Sequence, residues 1–140
     1  MLKNSRALRI EWGDCDPAGI VFYPRYFAMF DHSTTTLITA ATGLNKYELF
    51  QTYDFAGYPM VDTRARFLAP ARFGDDVTIE TAVTEVKRSS FQITHHLKKG
   101  ETLCVEGFET RVWTGRDPAD PSRIRSQPIP AEVIEKLSLP

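Results

Sequence analysis

The stretch from Gly13 to Pro24 constrains the fold more than any other part of the chain. It reads Gly-Asp-Cys-Asp-Pro-Ala-Gly-Ile-Val-Phe-Tyr-Pro, so glycines, prolines and short acids are concentrated within it. Such a composition is typical of a loop. An alternating apolar segment precedes the stretch and apolar residues at helical spacing follow it. The stretch therefore predicts a strand-to-helix loop.

A loop of this kind can carry chemistry. The entry of the following helix offers unpaired backbone N–H groups and the positive end of the helix dipole. Asp16 precedes Pro17 and Gly19, whose turn can aim its carboxylate toward the helix entrance near Tyr23. This arrangement suits attack on a carbonyl carbon, with Asp16 as nucleophile or as general base for a water molecule. The alternative is an acid that only satisfies loop amides. Gly19 would allow the backbone to approach a ligand closely. The alternative is a turn position that requires a positive φ.

Secondary structure follows from the spacing of apolar residues. Leu8, Ile10 and Trp12 alternate with charged residues and predict a strand that ends at Gly13. A long helix is predicted from Pro24 to a stop at Gly43, and a short second helix is predicted over residues 46–52. The apolar positions of the long helix recur every three or four residues: Tyr26, Phe30, Leu37, Ile38 and Ala41.

The second half of the chain predicts strands. The side chains of residues 61–67 alternate in polarity as in a strand, and Pro70 ends that strand. Three longer strand-like runs at 77–86, 91–97 and 102–113 are joined by short polar turns. The tail from Gly115 is rich in proline, so we expect it to be irregular until a helical turn near 131–137. The order of elements is that of an α+β fold, with one antiparallel sheet and one long helix against one face.

Length and composition limit the class of protein. The 140 residues, 42% of them hydrophobic, fit a single domain spanning 1–140. The 17 basic and 18 acidic residues nearly cancel, which argues against nucleic acid as a partner. No apolar run is long enough to span a membrane, so we expect a cytoplasmic protein. Cys15 and Cys104 form no zinc or disulfide pattern.

The motif from Asp14 to Pro24, followed by Tyr26 and Asp31, resembles the signature of the 4-hydroxybenzoyl-CoA thioesterase family of hotdog-fold acyl-CoA thioesterases. The similarity continues more thinly through residues 57–66 and the turn at 87–91. It implies a hotdog fold, in which a five-stranded antiparallel sheet wraps around one long helix. It also implies hydrolysis of an aromatic acyl-CoA thioester of the 4-hydroxybenzoyl type, with the catalytic carboxylate at Asp16.

Further candidate site residues follow partly from their positions in the sequence and partly from the family resemblance. The backbone amides of Phe22 and Tyr23 at the helix entry can stabilise an oxyanion. The resemblance places Asp31 near the acyl pocket, where it would accept a hydrogen bond from a ring hydroxyl; the alternative is a surface acid paired with Arg25 or a neighbour. Phe22, Tyr26 and Met60 would line an aromatic slot or belong to the core.

The turn at Lys87, Arg88 and Ser89 resembles the family's contact with the coenzyme A phosphates. The alternative is a solvated hairpin turn. Arg64, Arg66, Arg111 and Arg125 are further unranked candidates for this role.

Histidine and metal chemistry are not predicted. His95 and His96 should point to opposite faces of a strand, and His32 lies in the helix, so we expect solvated or core-edge histidines. Asp14 and Asp16 do not open a complete calcium loop, because Ala18 and Arg25 occupy ligand positions. We predict no metal and no cofactor, and expect Asp14 to be a loop or cap acid.

Other functions stay open at this point. They are a short-chain aliphatic acyl-CoA thioesterase, a non-catalytic acyl-CoA or acyl-carrier binding protein, and an interaction module. One helix leaves sheet edges and apolar area uncovered, so we expect a homo-oligomer built from dimers, a tetramer by resemblance. The resemblance further implies that each site lies at the dimer interface, with Asp16 from one chain and the Lys87–Arg88 turn from its partner.

Overall fold

A computed structural model describes all residues from 1 to 140. Its strands are β1 (Lys3–Arg9), β2 (Met60–Phe67), β3 (Asp76–Val86), β4 (Ser90–Lys99), β5 (Thr102–Val112), β6 (Thr114–Arg116) and β7 (Ile124–Ser126). Its helices are α1 (Tyr23–Thr42), α2 (Lys46–Thr52) and α3 (Ala131–Leu137). None of the helices is long and apolar enough to cross a membrane.

The main sheet has five antiparallel strands in the order β1-β3-β4-β5-β2. The predicted meander of β3, β4 and β5 is confirmed, while β2 pairs with β5 and β1 pairs with β3. Both β1 and β2 are therefore edge strands. The α+β class and the hotdog arrangement, with α1 packed against one face of the sheet, agree with the prediction.

Helix α1 forms where local signals predict it. Pro24 lies in its first turn, where a missing N–H costs nothing, and Gly43 ends it in the left-handed conformation at φ 72°. The buried face includes Tyr26, Phe30 and Leu37. Thr34 lies in a threonine run of low helix propensity and is nevertheless helical and fully buried, which shows tertiary packing overriding propensity.

The remaining helices also match their predicted spans. The Asn45 side chain caps α2 by accepting a hydrogen bond from the Glu48 amide at 2.9 Å, and the Glu48 carboxylate accepts one from the Asn45 amide at 3.2 Å. The tail departs from prediction, because β6 and β7 form a short hairpin where irregular structure was expected.

The first strand ends earlier than predicted. β1 ends at Arg9, and Trp12 begins a short 3-10 turn with its side chain 61% exposed. The expected inward position of Trp12 is wrong, because the Asp14 carboxylate accepts from the Glu11 amide at 2.9 Å and turns the chain. That contact makes Asp14 a cap acid, as expected.

A polar layer separates two apolar clusters in the core. One cluster surrounds Trp113 and Phe91, and the other surrounds Phe30 and Ile79. Between them lie seven buried or half-buried polar side chains: Arg6, Ser33, Thr34, Thr81, His95, Glu109 and Arg111. No buried side-chain nitrogen or oxygen is left without a partner.

Candidate active site

The loop before α1 is a tight hairpin held by its own backbone. Cys15 and Val21 form an antiparallel bridge, and the Asp16 amide donates to the Ile20 carbonyl at 2.9 Å. The Gly19 amide donates to the Asp16 carbonyl at 2.9 Å, and Gly19 has a φ of 78° that other residues adopt at a cost. The hairpin fixes the backbone of Asp16 at the entrance of α1.

The Asp16 carboxylate is half-buried and only partly used by the loop. Its Oδ1 accepts from the Ala18 amide at 2.9 Å, a bond that orients the side chain. No protein donor contacts Oδ2. Asp16 thus has both the turn contact expected of a loop acid and a second oxygen open to a substrate or to water.

One helix-entry amide is free, rather than the two predicted. The Phe22 amide donates to the Asp14 carbonyl at 2.9 Å. The Tyr23 amide has no carbonyl partner, since it opens the first turn of α1. The Tyr23 N–H is therefore the donor that can face an oxyanion.

Cys15 lies beside Asp16 and is a poor nucleophile. Burial raises the pKa of its thiol, and the neighbouring carboxylates of Asp14 and Asp16 raise it further. The thiol is therefore protonated at neutral pH, and only the thiolate is strongly nucleophilic.

An apolar groove of about 370 Å³ opens next to the hairpin. Its lining residues are Ile20, Val21, Tyr23, Tyr26, Phe67, Leu68, Ala69 and Pro70. The Tyr26 hydroxyl accepts from the Ala71 amide at 3.1 Å, and burial raises the pKa of that hydroxyl. The Phe67 ring packs against Tyr23 and Tyr26, with centroid distances of 6.4 and 5.8 Å.

The predicted aromatic slot is only partly assembled within one chain. Tyr26 lines the groove, whereas Phe22 lies outside it with its side chain 51% exposed. Met60 begins β2 and is seven residues from Phe67, the β2 residue at the groove. A strand rises about 3.3 Å per residue, so Met60 lies roughly 23 Å away.

The remaining predicted residues cluster at the far end of the sheet. Met60 pairs with Arg111, Arg111 pairs with Phe91, and Phe91 pairs with Val86, immediately before the Lys87 turn. The other end of β3 lies beside the hairpin, where the Ile10 amide donates to the Asp75 carbonyl at 2.8 Å. Because β3 has 11 residues, the two ends are roughly 33 Å apart. Within one chain, Asp16 and the Lys87 turn therefore lie at opposite ends of the sheet.

The turn itself is exposed and charged. The Lys87 amide donates to the Ser90 carbonyl at 2.8 Å, and the Lys87 ammonium lies 3.7 Å from Glu85. The Arg88 carbonyl accepts a hydrogen bond from the Ile129 amide at 2.8 Å, and the Arg88 side chain is exposed to solvent. The Ser89 carbonyl accepts from the Trp113 amide at 2.8 Å, which ties the turn to the segment after β5.

Asp31 pairs with Arg111 rather than with Arg25. The Arg111 Nη2 donates to Asp31 Oδ1 at 2.8 Å, while the Asp31 side chain is 53% exposed. Asp31 is therefore bound to Arg111, the β5 residue that pairs with Met60, and about half of its side chain remains exposed.

The interpretation of His95 as a solvated or core-edge residue is wrong. His95 is fully buried, with Nε2 3.0 Å from Glu109 and Nδ1 2.9 Å from the Thr81 hydroxyl. His96 points to the opposite face, as predicted, and bonds Glu106 at 2.8 Å. Sequence reasoning missed the buried group around Glu109. Its signal is that His95, Glu109 and Arg111 occupy the inward positions of strands that otherwise alternate apolar and polar residues.

Comparisons with known proteins identify the family of this chain. The family model described as "Thioesterase-like superfamily" matches residues 10–137. The 4-hydroxybenzoyl-CoA thioesterase of Pseudomonas sp. (strain CBS-3) is 34% identical over 136 residues, which cover 93% of this chain and 94% of the relative.

Solved structures give the same result. A crystal structure of a mutant 4-hydroxybenzoyl-CoA thioesterase complexed with 4-hydroxybenzoyl-CoA is 31% identical, with a TM-score of 0.88 and coverage of 97% of this chain and 99% of that one. The structure of BH1999, a gentisyl-coenzyme A thioesterase, is 34% identical, with a TM-score of 0.81 and coverage of 94% and 99%. With a match along nearly its whole length and this fold, the chain belongs to the thioesterase-like superfamily and is a thioester hydrolase.

Proposed function

We propose that this protein, acting as one hotdog domain over residues 1–140, hydrolyses an aromatic acyl-CoA thioester of the 4-hydroxybenzoyl type to the free acid and coenzyme A. The observation that carries the proposal is the Asp16 hairpin. It holds a carboxylate with one open oxygen just before α1, whose Tyr23 amide is free, and its Ile20 and Val21 line the apolar groove. Relatives more than 30% identical that act on 4-hydroxybenzoyl-CoA and gentisyl-CoA support the aromatic acyl group.

The chemistry needs only a carboxylate and water. In the nucleophilic route, the open oxygen of Asp16 attacks the thioester carbonyl, and the C–S bond breaks to release the coenzyme A thiolate, which takes a proton from solvent. Water then hydrolyses the mixed anhydride and restores Asp16. In the general-base route, Asp16 takes a proton from the water that attacks the same carbon. Either route proceeds without a metal or another cofactor.

The Tyr23 amide would stabilise the oxygen that becomes negative during attack. It lies at the positive end of the α1 dipole, and a fixed donor at such a position commonly accounts for a factor of about 100 or more in kcat. Gly19 shapes the hairpin that faces the carbonyl. Cys15 takes no part, since its raised pKa keeps the thiol protonated.

The complete site requires two copies of the chain. Asp16, Gly19 and the groove lie at one end of the sheet, whereas Met60 and the Lys87 turn lie at the other. β2 is an edge strand with unpaired backbone groups on one side, and its Val61 and Phe67 side chains are 61% and 50% exposed. Antiparallel pairing of β2 with a second copy about its midpoint would set Met60 opposite the partner's groove.

In that dimer, each predicted residue has a role. Phe22, Tyr26 and Met60 enclose the acyl ring, and Asp31 accepts a hydrogen bond from its hydroxyl. Lys87, Arg88 and Ser89 bind the phosphates of coenzyme A at the surface, where ammonium and guanidinium groups make charge-assisted hydrogen bonds. Two such dimers associate into a tetramer, and the enzyme works in the cytoplasm.

A substrate panel tests the proposal. We expect kcat/KM for 4-hydroxybenzoyl-CoA and benzoyl-CoA to exceed that for butyryl-CoA and hexanoyl-CoA, measured by release of the coenzyme A thiol. A clear preference for the alkyl thioesters would reject the aromatic assignment in favour of a short-chain acyl-CoA thioesterase. The absence of thiol release from any acyl-CoA would leave only a binding role.

A further inference from the structure

An unbroken chain of hydrogen bonds runs from the middle of the sheet to the surface of α1. Thr81 and His95 are 2.9 Å apart, His95 and Glu109 are 3.0 Å apart, and Arg111 Nε donates to Glu109 Oε1 at 2.9 Å. The last link joins Arg111 to Asp31 at 2.8 Å. The first four residues are buried and Asp31 alone reaches solvent.

The buried part of this hydrogen-bond chain contains a charged pair, Glu109 and Arg111. Burial alone would raise the pKa of Glu109, but hydrogen bonds from His95 and Arg111 outweigh it and lower that pKa. Burial would likewise lower the pKa of Arg111, and the contacts with Glu109 and Asp31 raise it instead. Buried charges carry a desolvation cost of several kcal/mol each, so such a pair persists only when its geometry is well satisfied.

The Arg111 guanidinium is fixed by all three of its nitrogens. Besides the bonds to Glu109 and Asp31, its Nη1 donates to the Tyr58 carbonyl at 3.4 Å, and its Cζ lies 5.7 Å from the centre of the Tyr58 ring. Glu109 is fixed in turn, because the Thr34 hydroxyl on α1 donates to its Oε1 at 2.7 Å. The guanidinium therefore has one orientation available to it.

That orientation determines where the Asp31 carboxylate points. Its Oδ1 is taken by Arg111, and no protein group contacts its Oδ2. Arg111 pairs with Met60 across β5 and β2, and the proposed dimer sets Met60 opposite the partner's groove, so in that dimer Arg111 would hold Asp31 at the acyl site.

We propose that Arg111, held in place by Glu109, is a positioning residue that sets the selectivity of the acyl site by presenting Asp31 Oδ2 to a hydroxyl on the acyl group. The inference rests on the proposed function and adds to it a buried determinant of selectivity. Lysine cannot replace Arg111, because one ammonium nitrogen cannot contact Glu109, Asp31 and Tyr58 in the geometry of a planar guanidinium.

The test compares kcat/KM for 4-hydroxybenzoyl-CoA with kcat/KM for benzoyl-CoA, which lacks the hydroxyl. Wild-type enzyme should prefer the hydroxylated substrate. Arg111→Lys and Glu109→Gln should each lower that preference about tenfold, the effect of one hydrogen bond to a charged group. In an Asp31→Asn background, Glu109→Gln should cause no further loss, because both changes act through one carboxylate.

Arg6 provides a matched control. Its Nε donates to Ser33 Oγ at 2.7 Å and its Nη2 to the Met29 carbonyl at 2.8 Å, so it also joins a strand to α1 but has no contact with Asp31. Arg6→Gln should lower Tm and leave the substrate preference unchanged. An effect on the preference as large as that of Glu109→Gln would show general loosening of α1 and overturn the inference.

The other outcomes are equally distinct. Retention of the wild-type preference in folded Arg111→Lys or Glu109→Gln enzyme would overturn the positioning role and leave the proposed function standing. If Arg111→Lys fails to fold, Glu109→Gln, which keeps the size of the side chain, gives the result. Wild-type enzyme that hydrolyses alkyl thioesters and no aromatic ones would overturn the inference together with the proposed function.

Discussion

At the scale of single residues, the proposed mechanism depends on Asp16. Asp16→Asn should lower kcat by a factor of about 100 or more, because an amide is neither a nucleophile nor a base. The fold should survive, since the asparagine oxygen can still accept from the Ala18 amide. Thiol release measures kcat, and thermal unfolding checks stability. An Asp16→Asn enzyme with most of the wild-type kcat would end the mechanism.

Cys15→Ala is the matched control at the adjacent position. Its thiol is kept protonated by burial and by two neighbouring carboxylates, so we expect the variant to keep more than about a tenth of wild-type kcat. An inactive, folded Cys15→Ala enzyme would instead indicate thiol catalysis.

Residues differ in how well sequence predicts them. The Asp16 loop could be predicted because proline, glycine and aspartate determine a turn locally. The buried positions of His95, Glu109 and Arg111 were missed, since each is polar and the prediction followed apolar alternation. Their inward direction could nevertheless have been predicted, because successive side chains of a strand point to opposite faces and every second residue of β4 and β5 is buried.

At the scale of elements, the Phe30 ring of α1 packs directly on Gly107 of β5. A Cβ added there would lie 2.5 Å from the Phe30 ring, so Gly107→Ala would push the helix from the sheet. We expect the free energy of unfolding to fall by about 1–3 kcal/mol, a usual cost of overpacking, measured by urea denaturation.

A second substitution tests whether the loss of stability comes from a clash with the Phe30 ring. Phe30→Leu makes a smaller side chain at the contact, so the double variant should be more stable than additive costs predict. Strict additivity of the two losses would show that the ring and the glycine are not in competition for the same space.

Local signals predicted the elements themselves, but not the pairing of elements that are distant in sequence. Caps at Asn45 and Gly43 determine where α2 begins and α1 ends. The pairing of β2 with β5 joins residues 38 to 51 positions apart, from Phe67–Val105 to Met60–Arg111, and no local pattern specifies it. Val61 and Phe67 follow the alternation of a half-buried strand, yet both side chains are exposed in one chain, where β2 is an edge strand.

At the scale of the whole molecule, the residues proposed to form one site lie at two opposite ends of the sheet. Asp16 and the Lys87 turn are separated by the length of β3, roughly 33 Å. The open edge of β2 lies between these ends. A second copy related by a twofold axis can therefore join each half-site to its complement, and a single chain should be inactive.

Complementation between two impaired variants tests whether each site is shared by two chains. Asp16→Asn and the Lys87→Ala, Arg88→Ala double variant should each be impaired, but a mixed dimer has one site with both lesions and one with neither. Random pairing makes half of the dimers mixed, so co-expression should restore about a quarter of the wild-type kcat/KM per chain. Activity equal to the average of the two parents would contradict the account, because it would place the whole site within one chain or remove the basic turn from substrate binding.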